Sequence, residues 1–126
     1  MDINEITSSL KSGFVIKTIA DNEWEILTNI SLPNGFKSKV FIKQINGKWF
    51  FTDKKNVLKF MNEIYELSSN DVKNCIAGVL RAYGFSITSG EIFAHIYNEK
   101  EILIKFYQFI CCMAELVNMY VFFDKP

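Results

Sequence analysis

Two periods of hydrophobic residues divide the sequence into a strand-rich part and a helix-rich part. Between residues 14 and 52, apolar side chains recur mostly at every second position, which is typical of strands with one buried face. After Asp53 they recur mostly at every third or fourth position, which is typical of amphipathic helices. We therefore predict a sheet in the first part, with strands at 14–20, 24–30, 40–45 and 48–52.

Asn46-Gly47 gives the clearest local signal, because it separates two of the predicted strands. The two central residues of a type I′ turn both need a positive φ, and Asn-Gly adopts it more easily than other pairs. We therefore predict a β-hairpin over residues 40–52. Most of its lysines are expected on a solvated surface or at a sheet edge, where they also discourage unwanted strand pairing.

The remaining elements are predicted from helical spacing and capping residues. Asp2 can begin a short N-terminal helix, and Asn98 with Glu101 can form a capping box before a long helix. Apolar residues cover most of that last helix, which is typical of a helix inside a core or an interface. Between these ends we predict helices at 54–67 and 70–83 and a hairpin built from 85–87 and 92–97.

These elements predict one α+β domain over residues 1–126. It begins with the N-terminal helix and has an antiparallel sheet of about four strands. Two helices and the short hairpin follow, and the domain ends in a long apolar C-terminal helix over 102–120. We find no internal repeat and no linker in the sequence.

The composition predicts a soluble, cytoplasmic protein with one core. The chain has 126 residues, of which 49% are hydrophobic, and this is enough to fill a core of ordinary domain size. Residues 1–10 show no secretory signal, and no apolar run approaches the ~20 residues that span a bilayer. The odd count of three cysteines, in apolar surroundings, favours buried and reduced thiols.

Positive charge is concentrated in residues 37–59, although the whole chain has a formal net charge of zero. This segment holds seven lysines and a single acid, Asp53, so it carries +6 and the remaining residues carry −6. A focused field attracts an oppositely charged partner even when the protein as a whole is neutral. The pattern therefore predicts a partner-binding surface that contains Lys37, Lys39, Lys43, Lys48, Lys54, Lys55 and Lys59.

No residue pattern in the sequence favours catalysis, a metal or a cofactor. His95 is the only histidine, and no strained turn surrounds a serine, so an activated nucleophile lacks a positioned base. The cysteines lack the paired spacing of zinc ligands, and the glycines form no phosphate-binding loop. We predict a protein that is not an enzyme and that binds no metal or cofactor.

One loose match to an enzyme motif occurs at Asp53-Lys54-Lys55 and again at Asp71-Val72-Lys73. Metal-dependent nucleases place carboxylates and a lysine on adjoining strands, where the acids hold Mg²⁺. The simpler interpretation is that Asp53 caps the helix that follows it. The enzyme alternative requires a second carboxylate close to Asp53.

Nucleic acid is an alternative partner for the basic hairpin. Trp49, Phe50 and Phe51 resemble a base-stacking platform beside phosphate-binding lysines. Arg81 is the only arginine, however, and arginine supplies the bidentate contacts that read guanine. The alternative is therefore a nucleic-acid-binding accessory protein without sequence-specific readout.

The order of elements resembles an uncharacterised bacterial and phage domain family of unknown function. The pattern is carried by two strands over 14–30, a hairpin ending in Phe51-Thr52-Asp53, a helix with Val57-Leu58 and Met61, a small hairpin near Ile92-Phe93, and a long apolar helix. The family usually has acids and a glycine where this chain has Lys54-Lys55-Asn56, and only Asp53 is retained. The resemblance implies the fold and assigns no activity.

We predict that the chain binds and neutralises a partner protein, as toxin immunity proteins, antitoxins and phage inhibitors of host defence do. The lysines would steer an acidic protein, with Phe36 or Trp49 as an exposed aromatic anchor. Trp49 therefore joins the seven lysines in the predicted surface. In an alternative arrangement, acids within residues 1–25 and 60–126 face a basic toxin nuclease. No membrane partner is predicted.

Overall fold

Strands and helices in the computed structural model follow the change of period in the sequence. The structure describes residues 1–10, 14–28, 30–31, 35–63 and 69–119. Its strands are β1 (Val15–Ala20), β2 (Glu23–Leu27), β3 (Val40–Ile45), β4 (Lys48–Thr52), β5 (Ser86–Thr88) and β6 (Glu91–Ile96). Its helices are α1 (Ile3–Ser9), α2 (Asn56–Met61), α3 (Asn70–Tyr83) and α4 (Ile102–Val117), with a 3₁₀ turn at Glu99–Glu101. The predicted α+β class is confirmed.

The six described strands form one antiparallel sheet in the order β1-β2-β3-β4-β6-β5, so that β1 and β5 are its edges. The prediction of about four strands is wrong, because the second hairpin joins the sheet through the pairing of β6 with β4. Ile92, Ala94 and Ile96 are buried on the same face as Phe51. This pairing therefore extends one continuous apolar face, which is the physical reason for the larger sheet.

Local turns and caps have the predicted backbone. Asn46 and Gly47 have φ of 52° and 78°, as a type I′ turn requires. Asp2 and Glu5 form a reciprocal capping box at the start of α1. The hairpin and the N-terminal cap predicted from these residues are confirmed. The register of β3 against β4 follows from the hairpin turn, which places Ile45 opposite Lys48.

The core lies between the sheet and α4. The face that packs on α4, called the helix-packed face, carries buried side chains such as Ile42 and Phe51. Phe106 and Phe109 of α4 have ring centroids 5.8 and 6.5 Å from that of Phe51. Phe14 meets Phe106 edge to face at 5.0 Å. Aromatic contacts thus hold α4 against the middle of the sheet, and the opposite face is called the outer face.

Helix α4 is shorter than predicted and is buried on only part of its surface. It ends at Val117, and the predicted end at residue 120 lies outside the described residues. Ile104, Tyr107 and Gln108 are exposed, because α4 packs through only part of its circumference. The predicted long apolar C-terminal helix is therefore not shown, because the described part of α4 is shorter and leaves some of its apolar side chains in solvent. The helix predicted at 54–67 is also shorter, because α2 begins at Asn56 and ends at Met61, and residues 62–63 form a turn. Residues 64–67 of the prediction lie outside the described part.

The three cysteines are unpaired, but only Cys112 is buried. Cys75 and Cys111 are exposed, so the expectation that all three thiols are buried is wrong for these two. Burial raises the pKa of the Cys112 thiol to about 12, which keeps it protonated at neutral pH. Across the described helices, none is long and apolar enough to cross a bilayer.

Candidate partner-binding surface

Two of the seven lysines of the predicted surface are neutralised within the fold. Lys43 Nζ lies 2.9 Å from Glu91 Oε2, and Lys54 Nζ lies 2.8 Å from Glu23 Oε1. The hydrogen bond from Lys54 lowers the pKa of Glu23, which keeps this carboxylate charged. The expectation that the basic segment stays free for docking is therefore wrong for Lys43 and Lys54.

Three other lysines converge on one cleft. Lys37 and Lys39 reach it from the chain before β3, and Lys59 reaches it from α2. This basic cleft has a volume of about 230 Å³ and is lined by Phe36, Lys37, Lys39, Asn56, Lys59, Phe60 and Glu63. None of the three ammonium groups is in an ion pair with a described residue. With Glu63 as the single acid of its lining, the cleft carries a net charge of +2.

Two aromatic rings support the basic cleft. The rings of Phe36 and Phe60 meet edge to face, with centroids 5.1 Å apart. Phe36 is 4% exposed, so it is wrong as an exposed anchor. Its contact instead holds α2 against the chain that leads into β3. Phe60 is half-buried and leaves apolar surface beside the lysines.

The remaining two lysines lie apart from each other. Lys55 is exposed one helical turn before Lys59, at the start of α2. Lys48 follows the hairpin turn at the opposite end of β3 from Lys39. At ~3.3 Å per residue these two ends of the strand are about 20 Å apart. The lysines therefore form two separate positive regions and not one continuous ribbon.

Asp53 fixes the position of α2 relative to the sheet. Its carboxylate accepts hydrogen bonds from the backbone N–H groups of Val57 (2.9 Å), Lys55 (3.1 Å) and Ile92 (3.0 Å). The bond from Val57 confirms the predicted capping role, although Lys55 takes the N-cap position itself. Lys54 and Lys55 both have positive φ, of 50° and 71°, so the chain turns sharply from β4 into α2. The basic cleft therefore depends on a helix start held by one buried carboxylate.

A second carboxylate lies near Asp53, as the enzyme alternative requires, but both groups already have partners. Burial raises the pKa of Asp53, and the charge of Glu91 adds to this effect. Asp53 is fully buried, and Glu91 accepts a hydrogen bond from Thr52 Oγ1 at 2.6 Å in addition to its pairing with Lys43. In the described ranges, no three His, Cys, Asp or Glu side chains are grouped so as to hold a metal ion. The arrangement is that of a structural cluster joining β4 to β6.

Glu91→Ala is expected to lower the free energy of unfolding by about 2 kcal/mol, because a hydrogen bond to a charged group contributes about 1.5–3 kcal/mol. The change leaves Thr52 and Lys43 without their carboxylate partner. The side chain of Lys43 is only 18% exposed, so water replaces that partner incompletely. Urea unfolding followed by tryptophan fluorescence measures the loss. Glu25→Ala on the same face is the matched control, since Glu25 has no ion pair with a described residue. Equal losses in the two variants would contradict the structural role.

Trp49, the aromatic member of the predicted surface, lies in the core. It is 5% exposed, packs on Trp24 with ring centroids 5.4 Å apart, and donates from Nε1 to the carbonyl of Met1. Side chains two apart on a strand point the same way, so Trp49 and Phe51 share the helix-packed face and Phe50 points outward. Trp49 is therefore wrong as an exposed anchor. The stacking platform expected from these three hairpin residues is not formed by them.

Sequence reasoning missed a row of rings on the outer face. The pairing of β4 with β6 places Phe50 opposite His95, and Phe93 and Tyr97 continue the row on either side. Alternation over residues 92–97 indicates a half-buried strand. It carries no signal for which strand lies next to it, so the row could not be assembled from the sequence.

No protein-family model, curated protein or solved structure matches this chain. The resemblance to an uncharacterised bacterial and phage domain family stays a prediction.

Proposed function

We propose that the chain is a non-enzymatic protein that binds and neutralises an acidic partner protein through the basic cleft. The observation that supports this is that three lysines, Lys37, Lys39 and Lys59, line one cleft and have no ion-pair partner in the described part of the chain. The proposed classes of neutralising protein are toxin immunity proteins, antitoxins and phage inhibitors of host defence.

Local charge explains how a neutral protein attracts an acidic surface. The chain has a net charge of zero, whereas the cleft lining holds three lysines and one glutamate. At 0.1 M salt the electrostatic screening length is about 10 Å, so surface charges that lie within this distance of one another add to the same local field. The cleft therefore presents a positive field to an approaching partner, although distant acids cancel it overall. Such steering raises the association rate more than the affinity.

The size of the cleft favours a protein side chain over a cofactor. Sites for small ligands commonly enclose about 300–1,000 Å³, whereas this cleft has a volume of about 230 Å³. A carboxylate of the partner can lie between the lysines, and the half-buried Phe60 offers an apolar contact beside it. Interfaces commonly combine a few central apolar contacts with a charged rim. We assign that rim to Lys37, Lys39 and Lys59, together with the neighbouring Lys55.

Reversing three charges in one variant, as Lys37→Glu, Lys39→Glu and Lys59→Glu, is expected to abolish capture of the partner from a lysate of the native host. Wild type and variant are immobilised side by side, and the captured protein is identified and purified. Its association rate constant with the variant is expected to fall about tenfold or more at low salt, because steering of that size is common for charged partners. At high salt the two rate constants should converge, since screening removes the steering.

A second variant with the same change of charge elsewhere is the control. Lys73, Arg81 and Lys100 are exposed and lie outside the cleft, so reversing them alters the net charge equally. Capture that is retained by this control and lost by the cleft variant supports the proposal. Equal capture by all three proteins refutes it. Loss of capture in both variants also refutes the cleft as the binding site, because the overall charge of the protein would then account for the capture.

Nucleic acid on the basic hairpin, the alternative function, has less support. Of the hairpin rings considered, only Phe50 lies on the outer face, and Lys43 is paired with Glu91. Lys48 remains at the turn, beside the rings of His95 and Tyr97. A nucleic-acid site therefore needs rings from outside the hairpin.

A further inference from the structure

Four rings form a continuous row on the outer face, called the ring row. The centroid distances are 5.6 Å from Phe93 to Phe50, 4.9 Å from Phe50 to His95, and 3.9 Å from His95 to Tyr97. The first three side chains are half-buried, whereas Tyr97 is 68% exposed. The row therefore ends in an aromatic side chain that is open to solvent and backed by further rings.

Two lysines flank the exposed end of the ring row. Lys105 Nζ lies 5.7 Å from the ring centroid of Tyr97, and Lys48 lines a cleft of about 310 Å³ together with His95 and Tyr97. Neither lysine is in an ion pair with any residue that the structure describes. Burial, followed by the charges of Lys48 and Lys105, lowers the pKa of His95, so the imidazole is uncharged at neutral pH. This end of the row combines uncharged rings with two positive charges.

We propose that the exposed end of the ring row binds single-stranded nucleic acid, with a base stacked on Tyr97 and the adjacent phosphate between Lys48 and Lys105. Every base has an apolar face that stacks on an aromatic side chain, and lysine contacts phosphate without regard to sequence. A duplex keeps those base faces inside its own stack, so an exposed ring selects the unpaired strand. The only arginine, Arg81, belongs to α3 and not to this site, which makes the binding tolerant of sequence.

This site is separate from the basic cleft. Lys48 and Lys39 lie at opposite ends of β3, about 20 Å apart at ~3.3 Å per residue. The two surfaces can therefore be changed one at a time. An acidic protein at the cleft and a nucleic acid at the ring row are independent proposals, and either can fail alone.

Fluorescence anisotropy with a labelled single strand of about ten nucleotides tests the proposal on the full chain. Binding is expected at about 50 mM salt and should weaken steeply as salt rises. Tyr97→Ala is expected to weaken binding at least ~fivefold. This corresponds to a loss of about 1 kcal/mol of binding free energy, which is the lower end of the range for stacking one base on an aromatic side chain. Lys48→Ala combined with Lys105→Ala should reduce the slope of log affinity against log salt by about 0.7, since one phosphate neutralised in a single strand contributes about that much.

Matched variants separate stacking from loss of structure and from general charge. Tyr97→Phe keeps the ring and is expected to bind like wild type. Tyr107→Ala removes a tyrosine of α4 that is 48% exposed and lies outside the site, and it should also leave binding unchanged. Neutralising the basic cleft, as Lys37→Gln, Lys39→Gln and Lys59→Gln, is expected to weaken binding less than the change at Lys48 and Lys105.

Four results would overturn the proposal. The first is that wild type does not bind at low salt and about 100 µM protein. This concentration is within the usual range of dissociation constants for non-specific binding. The second is equal weakening by Tyr97→Ala and Tyr107→Ala. The third is equal affinity for a duplex of the same length. The fourth is equal affinity for thymidine monophosphate and for the longer strand, which would make the site a nucleotide pocket.

Discussion

Asp53→Ala is expected to lower the free energy of unfolding by about 3 kcal/mol or more, because each buried donor that loses its partner costs about 1–3 kcal/mol. The backbone N–H groups of Val57 and Ile92 would lack an acceptor in the interior, and that of Lys55 would lack one in a part-buried position. These donors belong to the start of α2 and to β6. Both elements therefore lose a fixed contact at once, and urea unfolding at neutral pH measures the effect.

Asp53→Asn is the matched variant for this experiment. Its amide oxygen can still accept from Lys55 and Ile92, which both bond to Oδ1, whereas its NH₂ group would face the N–H of Val57. We expect a loss of about half that of the alanine variant, since fewer donors are left without an acceptor. A loss below about 1 kcal/mol for Asp53→Ala would contradict the role of this carboxylate, because a single orphaned buried donor already costs that much.

The same residue adds a pH dependence with a defined sign. Burial raises the pKa of Asp53 above its ordinary value of 3.8, so the native state takes up this proton at higher pH than the unfolded chain does. Where the native state binds more protons, stability falls as pH rises. The part of the contribution of Asp53 that is linked to this proton is therefore largest below the ordinary pKa and is lost as pH rises through the raised one, whereas its hydrogen bonds to the backbone still contribute at neutral pH. The stability difference between wild type and Asp53→Asn should fall across that window and then become flat.

Phe106→Ala is expected to lower the free energy of unfolding by about 3–5 kcal/mol, the usual cost of truncating a buried phenylalanine. Phe106 is fully buried, and its ring meets those of Phe14 and Phe51. The change leaves a cavity at the contact between α4 and the sheet, where the rigid strands allow little collapse. Thermal and urea unfolding, followed by circular dichroism, measure the loss.

Two controls bracket this result. Phe106→Leu retains most of the volume and should cost clearly less than the alanine variant. Tyr107→Ala changes the neighbouring side chain, which is 48% exposed, and should cost less than about 1 kcal/mol, as surface substitutions usually do. If the alanine variants at 106 and 107 lose similar stability, α4 does not pack on the sheet through Phe106.

Features with short-range causes could be predicted from the sequence. The hairpin turn needed only the left-handed preference of Asn46-Gly47, and the start of α1 needed only Asp2 and Glu5 three residues apart. The pairing of β6 with β4 brings together residues 41 to 47 positions apart, and no local propensity specifies it. This is why the sequence predicts a smaller sheet than the structure has.

In the candidate site, the ion-pair partners of the lysines could not be predicted from the sequence either. A count of lysines finds the positive segment, but the partners of Lys43 and Lys54 lie 48 and 31 positions away along the chain. Only the assembled sheet brings Glu91 and Glu23 to them. Strict alternation shows that Trp49 and Phe51 share one face, but it does not show whether that face is the buried one. The side that the helices cover is set by packing across the whole domain.

The strand order also bears on how concentrated solutions of the protein behave. β5 is only three residues long, which gives a second molecule little backbone to pair with. β1 is twice as long and exposes Val15 and Ile19, and Lys17 is its one charged residue. A register irregularity between Thr18 and Ala20 adds a local twist that opposes edge-to-edge contact. Among the described residues of this edge, resistance to aggregation between copies therefore rests largely on a single ammonium group and one bulge.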